Sequence, residues 1–145
     1  MNDVKIHIKS KQTMPDEPDD TLSVDLAADG TMERRGGRVY IRYSEDVSGE
    51  GDNVDNVLSF DENDPSVISL VRRGSVGMSC VFEEGKRFPC KYDLKFAEMD
   101  FVIATKHVRN SIAPSKGGRI ALSYAMEARG VVVQNTDYML RVEVE

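Results

Sequence analysis

Arg72 is the residue in this chain whose placement could do chemistry. It lies in the run Val67-Ile68-Ser69-Leu70-Val71-Arg72-Arg73-Gly74-Ser75. Two hairpin closures are open there. A two-residue turn at Gly74-Ser75 turns Val67, Ser69, Val71 and Arg73 inward. A three-residue turn turns Ile68, Leu70 and Arg72 inward, and it hides more apolar area. We therefore expect the Arg72 guanidinium to point inside. A buried guanidinium needs a carboxylate or several acceptors. Glu45 and Tyr43 share the parity of Val39 and Ile41, and Tyr92, Thr105 and Tyr124 share that of their apolar neighbours. Glu45 and the tyrosine hydroxyls could satisfy it. The arrangement has a structural reading, a polar network pinning the interior. It also has a functional one, an anchor for a ligand carboxylate or phosphate.

Other candidate residues are thinner. The two cysteines, Cys80 and Cys90, fall opposite each other if the chain folds at Glu84-Gly85-Lys86. Two buried thiols packing as hydrophobes is the favoured reading, and a cross-strand disulfide is the alternative. His7 and His107 belong to no ligand-spaced cluster. Asp46, Glu50, Asp52 and Asp55, or Asp61, Glu62 and Asp64, could gather calcium but lack the EF-hand spacing. No GxSxG, HExxH or CxxC occurs, so neither a metal nor a cofactor is expected. An enzyme built on Glu45, Tyr92 and Arg72 is disfavoured, because acid–base work needs a positioned pair and one inward carboxylate is on offer.

The elements that must hold these residues are strands. From Ser66 to Thr105 apolar residues recur at every second position: Val76, Met78, Cys80, Phe82, then Phe88, Cys90, Tyr92, Leu94, then Met99, Phe101, Ile103. That is the period of a half-buried strand. Folding at Glu84–Lys86 pairs Phe82 with Phe88, Met78 with Tyr92 and Val76 with Leu94, and sets Glu83 against Arg87. Earlier in the chain, Val4, Ile6 and Ile8 alternate with charged or polar residues. Met14–Asp20 reads as a loop with two prolines, Leu22, Val24 and Leu26 as a strand, and Asp29-Gly30 as a hairpin turn. Val39, Ile41 and Tyr43 follow, then a polar loop at Ser48–Asn53, then Asn56, Leu58 and Phe60. Late in the chain Ile120, Leu122, Tyr124 and Met126 alternate, Gly130 breaks the run, and Tyr138, Leu140, Val142 and Val144 end it.

About ten strands and no sustained helical period predict an all-β, up-and-down, antiparallel barrel, closed or nearly closed, over residues 1–145 as one domain. A sandwich of the same strands is the alternative. An eight-stranded barrel is just filled by side chains or holds one small ligand, so ten strands leave more room. The expected inward set is Ile6, Val24, Ile41, Phe60, Leu70, Met78, Phe82, Phe88, Phe101, Leu122 and Leu140. A formal net charge of -6 argues against nucleic acid or an anionic membrane as partner. No apolar run is long enough to span a bilayer and the first residues lack a secretory signal, so a cytoplasmic setting is expected.

Several segments, in order, carry a likeness. They are Tyr43-Ser44-Glu45, Arg72-Arg73-Gly74-Ser75-Val76-Gly77-Met78, Phe82-Glu83-Glu84-Gly85-Lys86-Arg87, Tyr92-Asp93, Ile103-Ala104-Thr105 and Gly118-Arg119-Ile120-Ala121-Leu122-Ser123-Tyr124. Together they resemble the bacterial YwiB-like family of uncharacterised proteins, from Val4 to Val144. The resemblance implies a calycin-like barrel, related in shape to lipocalin and fatty-acid-binding barrels, and implies no established activity. Two functions are expected to compete. One is binding of a small, partly apolar, anionic molecule inside the barrel at Tyr43, Glu45, Arg72, Tyr92, Thr105 and Tyr124. The other is a protein-interaction or structural role for a solid barrel.

Overall fold

A computed structural model of the chain describes residues 1–46, 53–94 and 96–145. Ten strands run in chain order: β1 (Asn2–Met14), β2 (Glu17–Arg35), β3 (Arg38–Asp46), β4 (Asn53–Asp61), β5 (Asp64–Gly74), β6 (Val76–Glu83), β7 (Arg87–Leu94), β8 (Ala97–Asn110), β9 (Gly117–Ala128) and β10 (Val131–Val144). Each strand lies antiparallel beside its neighbours in sequence, and β1 closes the barrel against β10. The closing register sets Val4 against Val144 and Ile8 against Leu140. Two-residue alternation is what makes this possible: Val4, Ile6 and Ile8 are buried while Lys5 and Lys9 are exposed. Closing the sheet removes its edges and gives both end strands a ladder of hydrogen bonds. The core joins Ile6, Met32, Ile41, Leu58, Phe60, Ile68, Phe82, Ile103, Ile120 and Leu140. No described residue is helical, so no helix here is long and apolar enough to cross a membrane.

The β5–β6 hairpin turns the expected face inward, with Ile68 opposite Phe82, Leu70 opposite Cys80 and Arg72 opposite Met78, but its ladder ends at Arg72–Met78, two residues further along β6 than a three-residue turn at Arg73–Ser75 would set it. Ile120–Met126 is a strand, as its alternation requires. Other expectations are corrected. Met14–Asp20 is not an extended loop: the chain turns at Pro15-Asp16 and β2 begins at Glu17. Asp29-Gly30 is not a turn. Both lie inside β2, opposite Lys5 and Val4. Glycine is needed there for a different reason. A Cβ on Gly30 would stand 2.3 Å from the Arg42 carbonyl oxygen and 2.6 Å from Ile6 Cδ1. Val24, expected inside, is 41% exposed, because the β1–β2 hairpin rises beyond the barrel wall.

The central hairpin also differs in part. Its continuous ladder runs from Val76–Leu94 through Met78–Tyr92 to Ser79–Lys91. It does not extend to Phe82 and Phe88; Phe88 is half-buried opposite Ile103 of β8. Pro89 has no N–H to donate at this point. Cys80 and Cys90 are joined as a disulfide rather than packed as free thiols, and both are buried. Arg87 does not pair with Glu83. It reaches diagonally across β8 to the Glu127 carboxylate on β9. Glu50, Asp52 and most of the Ser48–Asn53 loop lie outside the described residues.

Candidate functional site

Up-and-down connection sorts the turns by end. The hairpins after β1, β3, β5, β7 and β9 gather at one end, here called the mouth. Those after β2, β4, β6 and β8 gather at the other, with both termini. Exposed large apolar residues are distributed unequally. Met14, Leu22, Val24, Leu94, Phe96, Met99, Val131, Val132 and Val133 all sit on mouth hairpins, and Phe96 is 97% exposed. The mouth thus carries an apolar rim.

Below the rim, cross-strand partners form a rung. Tyr43 lies opposite Asn56, Asn56 opposite Arg72, Arg72 opposite Met78, Met78 opposite Tyr92 and Tyr92 opposite Met99. A second rung joins Thr105, Tyr124, Thr136 and Gln12. All have the parity of buried neighbours, so they face the interior.

At the centre stands Arg72. Its Nη2 donates to Glu45 Oε1 at 2.6 Å and its Nε donates to Asn56 Oδ1 at 3.0 Å. Asn56 Nδ2 donates to Glu45 Oε1 at 3.3 Å and to the Val54 carbonyl at 3.2 Å. The ion pair is mostly shielded, with 21% of each side chain exposed. A guanidinium has five N–H donors, and two of those on Arg72 are engaged by described residues. The remaining three have no hydrogen-bond partner among the described residues.

Four tyrosines surround this pair. Burial pushes the Tyr43 hydroxyl up to about 12; the Glu45 carboxylate adds to that, while Tyr138 and Arg72 oppose it. Burial likewise pushes Tyr124 up to about 12, with Tyr92 adding and Arg72 opposing. Tyr92 is raised by burial against the opposing charge of Arg72. Tyr138 is raised well above the ordinary phenol range, again chiefly by burial. All four are therefore neutral hydroxyls at physiological pH. Ring packing fixes two of them: Tyr92 stands edge-on to Phe101 at 5.3 Å and Tyr124 is tilted against Phe82 at 4.8 Å. The buried hydroxyls of Ser75 and Thr105 have no hydrogen-bond partner among the described residues. Such a group normally finds one, so each is a place where a ligand atom or water is wanted.

Of the residues expected at the site, Tyr43, Glu45, Arg72, Tyr92 and Tyr124 are brought together. Thr105 stands beside Tyr124 in the ladder and makes no hydrogen bond to Arg72. Asn56 and Tyr138 were missed. Both carried the signal of parity, Asn56 with Leu58 and Phe60, and Tyr138 with Leu140 and Val142. Away from the site, His7 Nε2 donates to Asp25 Oδ1 at 2.6 Å, and His107 lies 3.5 Å from Glu84. Among the described residues no cluster of three histidines, cysteines or carboxylates could hold a metal.

The family model described as "Domain of unknown function (DUF1934)" matches residues 6–140. Among solved structures, the crystal structure of the ywiB protein from Bacillus subtilis is similar, with a TM-score of 0.84 and 20% identity. That match covers 99% of this chain and 92% of the other. At this identity the likeness is one of fold. No curated protein matches the sequence.

Proposed function

We propose, from the premise that this chain belongs to the DUF1934 family, that it is a binding barrel for a small, partly apolar acid entering at the mouth. One observation carries the reading: three N–H donors of Arg72 have no hydrogen-bond partner among the described residues and lie beside the neutral hydroxyls of Tyr43, Tyr92 and Tyr124. A carboxylate or phosphate accepts hydrogen bonds and would satisfy all of these donors at once. The neutral tyrosines add donors without adding charge. The apolar part of the ligand would rest on Leu22, Val24 and Met99, which are otherwise wet. Tyr43, Glu45, Tyr92, Thr105 and Tyr124 are assigned as the surrounding contacts, with Glu45 and Asn56 holding Arg72 in place.

Titrating the protein with a series of straight-chain carboxylates of increasing length tests this, by calorimetry and by side-chain NMR. Saturable binding, weakened by Arg72→Met while the melting curve stays cooperative, is the expected result. No saturable binding by any member of the series removes the reading. The competing reading is a solid barrel acting as an interaction module. It is favoured by one fact, that Glu45 already neutralises Arg72. A cytoplasmic setting belongs to the proposal as well. Thiol counts on protein isolated under alkylating conditions test it, since a disulfide found fully formed in the cell argues against a reducing compartment.

A further inference from the structure

The barrel is closed only at the lower part of β2. Residues Gly30–Arg35 of β2 pair with β3, from Gly30–Tyr43 to Arg35–Arg38. Above them, Thr21–Asp29 are hydrogen-bonded to β1 on one side and to no described residue on the other. At about 3.4 Å per residue this leaves roughly 30 Å of ladder with no second partner among the described residues. Such a row of unpaired N–H and C=O groups is a template for another strand.

We propose that this edge receives an extended, basic segment of another polypeptide as an added strand. The chemistry of the edge selects the occupant. Glu17–Asp29 contains Glu17, Asp19, Asp20, Asp25 and Asp29 and neither lysine nor arginine. Asp29 takes Lys5 of β1 and Asp25 takes His7. Asp16, Glu17, Asp19 and Asp20, at the tip, have no ion pair among the described residues and are exposed. A second copy of this chain pairing through the same edge would set these carboxylates against their equivalents. Like charges directly opposite destabilise a strand pair. The same repulsion excludes acidic segments and admits cationic ones. Leu22 and Val24, 57% and 41% exposed, share one face of the strand. An incoming strand with apolar residues at alternate positions would extend that face and cover them. The occupant is thus an alternating segment, apolar on one face and Lys/Arg-rich on the other, with its charge concentrated toward the β1–β2 turn. This inference does not depend on the acid-binding reading of the mouth.

The test uses the full chain and three synthetic peptides: alternating valine and lysine, alternating valine and glutamate, and the first peptide N-methylated at every second residue. Binding is followed by calorimetry and by hydrogen–deuterium exchange. The valine–lysine peptide is expected to bind, to slow exchange in Thr21–Asp29, and to weaken about tenfold in the Asp19→Lys/Asp20→Lys variant or on raising salt. The glutamate and N-methylated peptides are expected not to bind. Because the substitutions are on exposed side chains, an unchanged melting curve confirms that the variant is folded. An Arg72→Met chain binding the peptide as the natural one does separates this site from the mouth. No binding, equal binding by either control peptide, or protection appearing elsewhere overturns the proposal.

Discussion

Arg72 and the four tyrosines define the character of the interior through protonation. A tyrosine whose hydroxyl is raised to about 12 by burial, as at Tyr43 and Tyr124, holds its proton longer in the fold than in the unfolded chain, where it is lost near pH 10. Above about pH 10 the unfolded chain therefore binds fewer protons than the native one, and stability falls as pH rises. The contribution is complete below about pH 10 and is lost as pH climbs toward about 12, on the order of a few kcal/mol for the pair. Urea unfolding between about pH 9 and about pH 12 should show this decline. The double change Tyr43→Phe/Tyr124→Phe should flatten part of it; an unchanged slope would mean that these hydroxyls are solvated. This residue-level chemistry was half legible. Parity placed Tyr43, Glu45, Arg72 and Tyr92 inside, because a strand leaves two faces to choose from. Asn56 was passed over because asparagine reads as a surface residue, although its register puts it between Tyr43 and Arg72.

Strands and hairpins come next. The β6–β7 ladder stops at Ser79–Lys91, and Pro89 lies just beyond without a donor. Cys80–Cys90, ten residues apart, ties the two strands where backbone pairing gives out. Reduction, or Cys80→Ala/Cys90→Ala, should lower stability by roughly 2–3 kcal/mol and speed amide exchange in β6 and β7 before other strands. Denaturation with and without reductant checks this; identical curves would show that packing alone holds the hairpin. The sequence made the facing of the two cysteines legible, since hairpin register follows from alternation. Their oxidation was not, because register says nothing of redox state. Asp29-Gly30 misled for a related reason. The dipeptide marks a tight turn, yet glycine is also required where two backbones crowd. Only the three-dimensional approach of Arg42 and Ile6 tells these uses apart. The Arg87–Glu127 bridge spans non-adjacent strands, so no local pairing rule could have found it.

At the scale of the whole molecule, closure depends on β2 serving two neighbours in succession, and Gly30 marks the changeover. Gly30→Ala should cost about 2–3 kcal/mol, since the added methyl meets backbone rather than a flexible side-chain end. The loss would be felt at a distance: NMR should show shifts along β1 and its seam with β10 as well as along β3. A melting point equal to that of the natural chain would mean that the β2–β3 contact yields freely. The tube itself was legible from end to end because one two-fold rhythm runs through every segment. Its uneven height was not, since alternation is blind to where a wall ends. One last consequence follows from the seam. The Glu145 amide donates to the Asp3 carbonyl at 3.0 Å, so the first and last residues leave side by side, opposite the mouth. A short bridge could join them and new ends be cut at another turn, making a circularly permuted protein with the same walls. Any polypeptide or solid support attached at residue 1 or residue 145 would hang from the floor and leave the entrance clear.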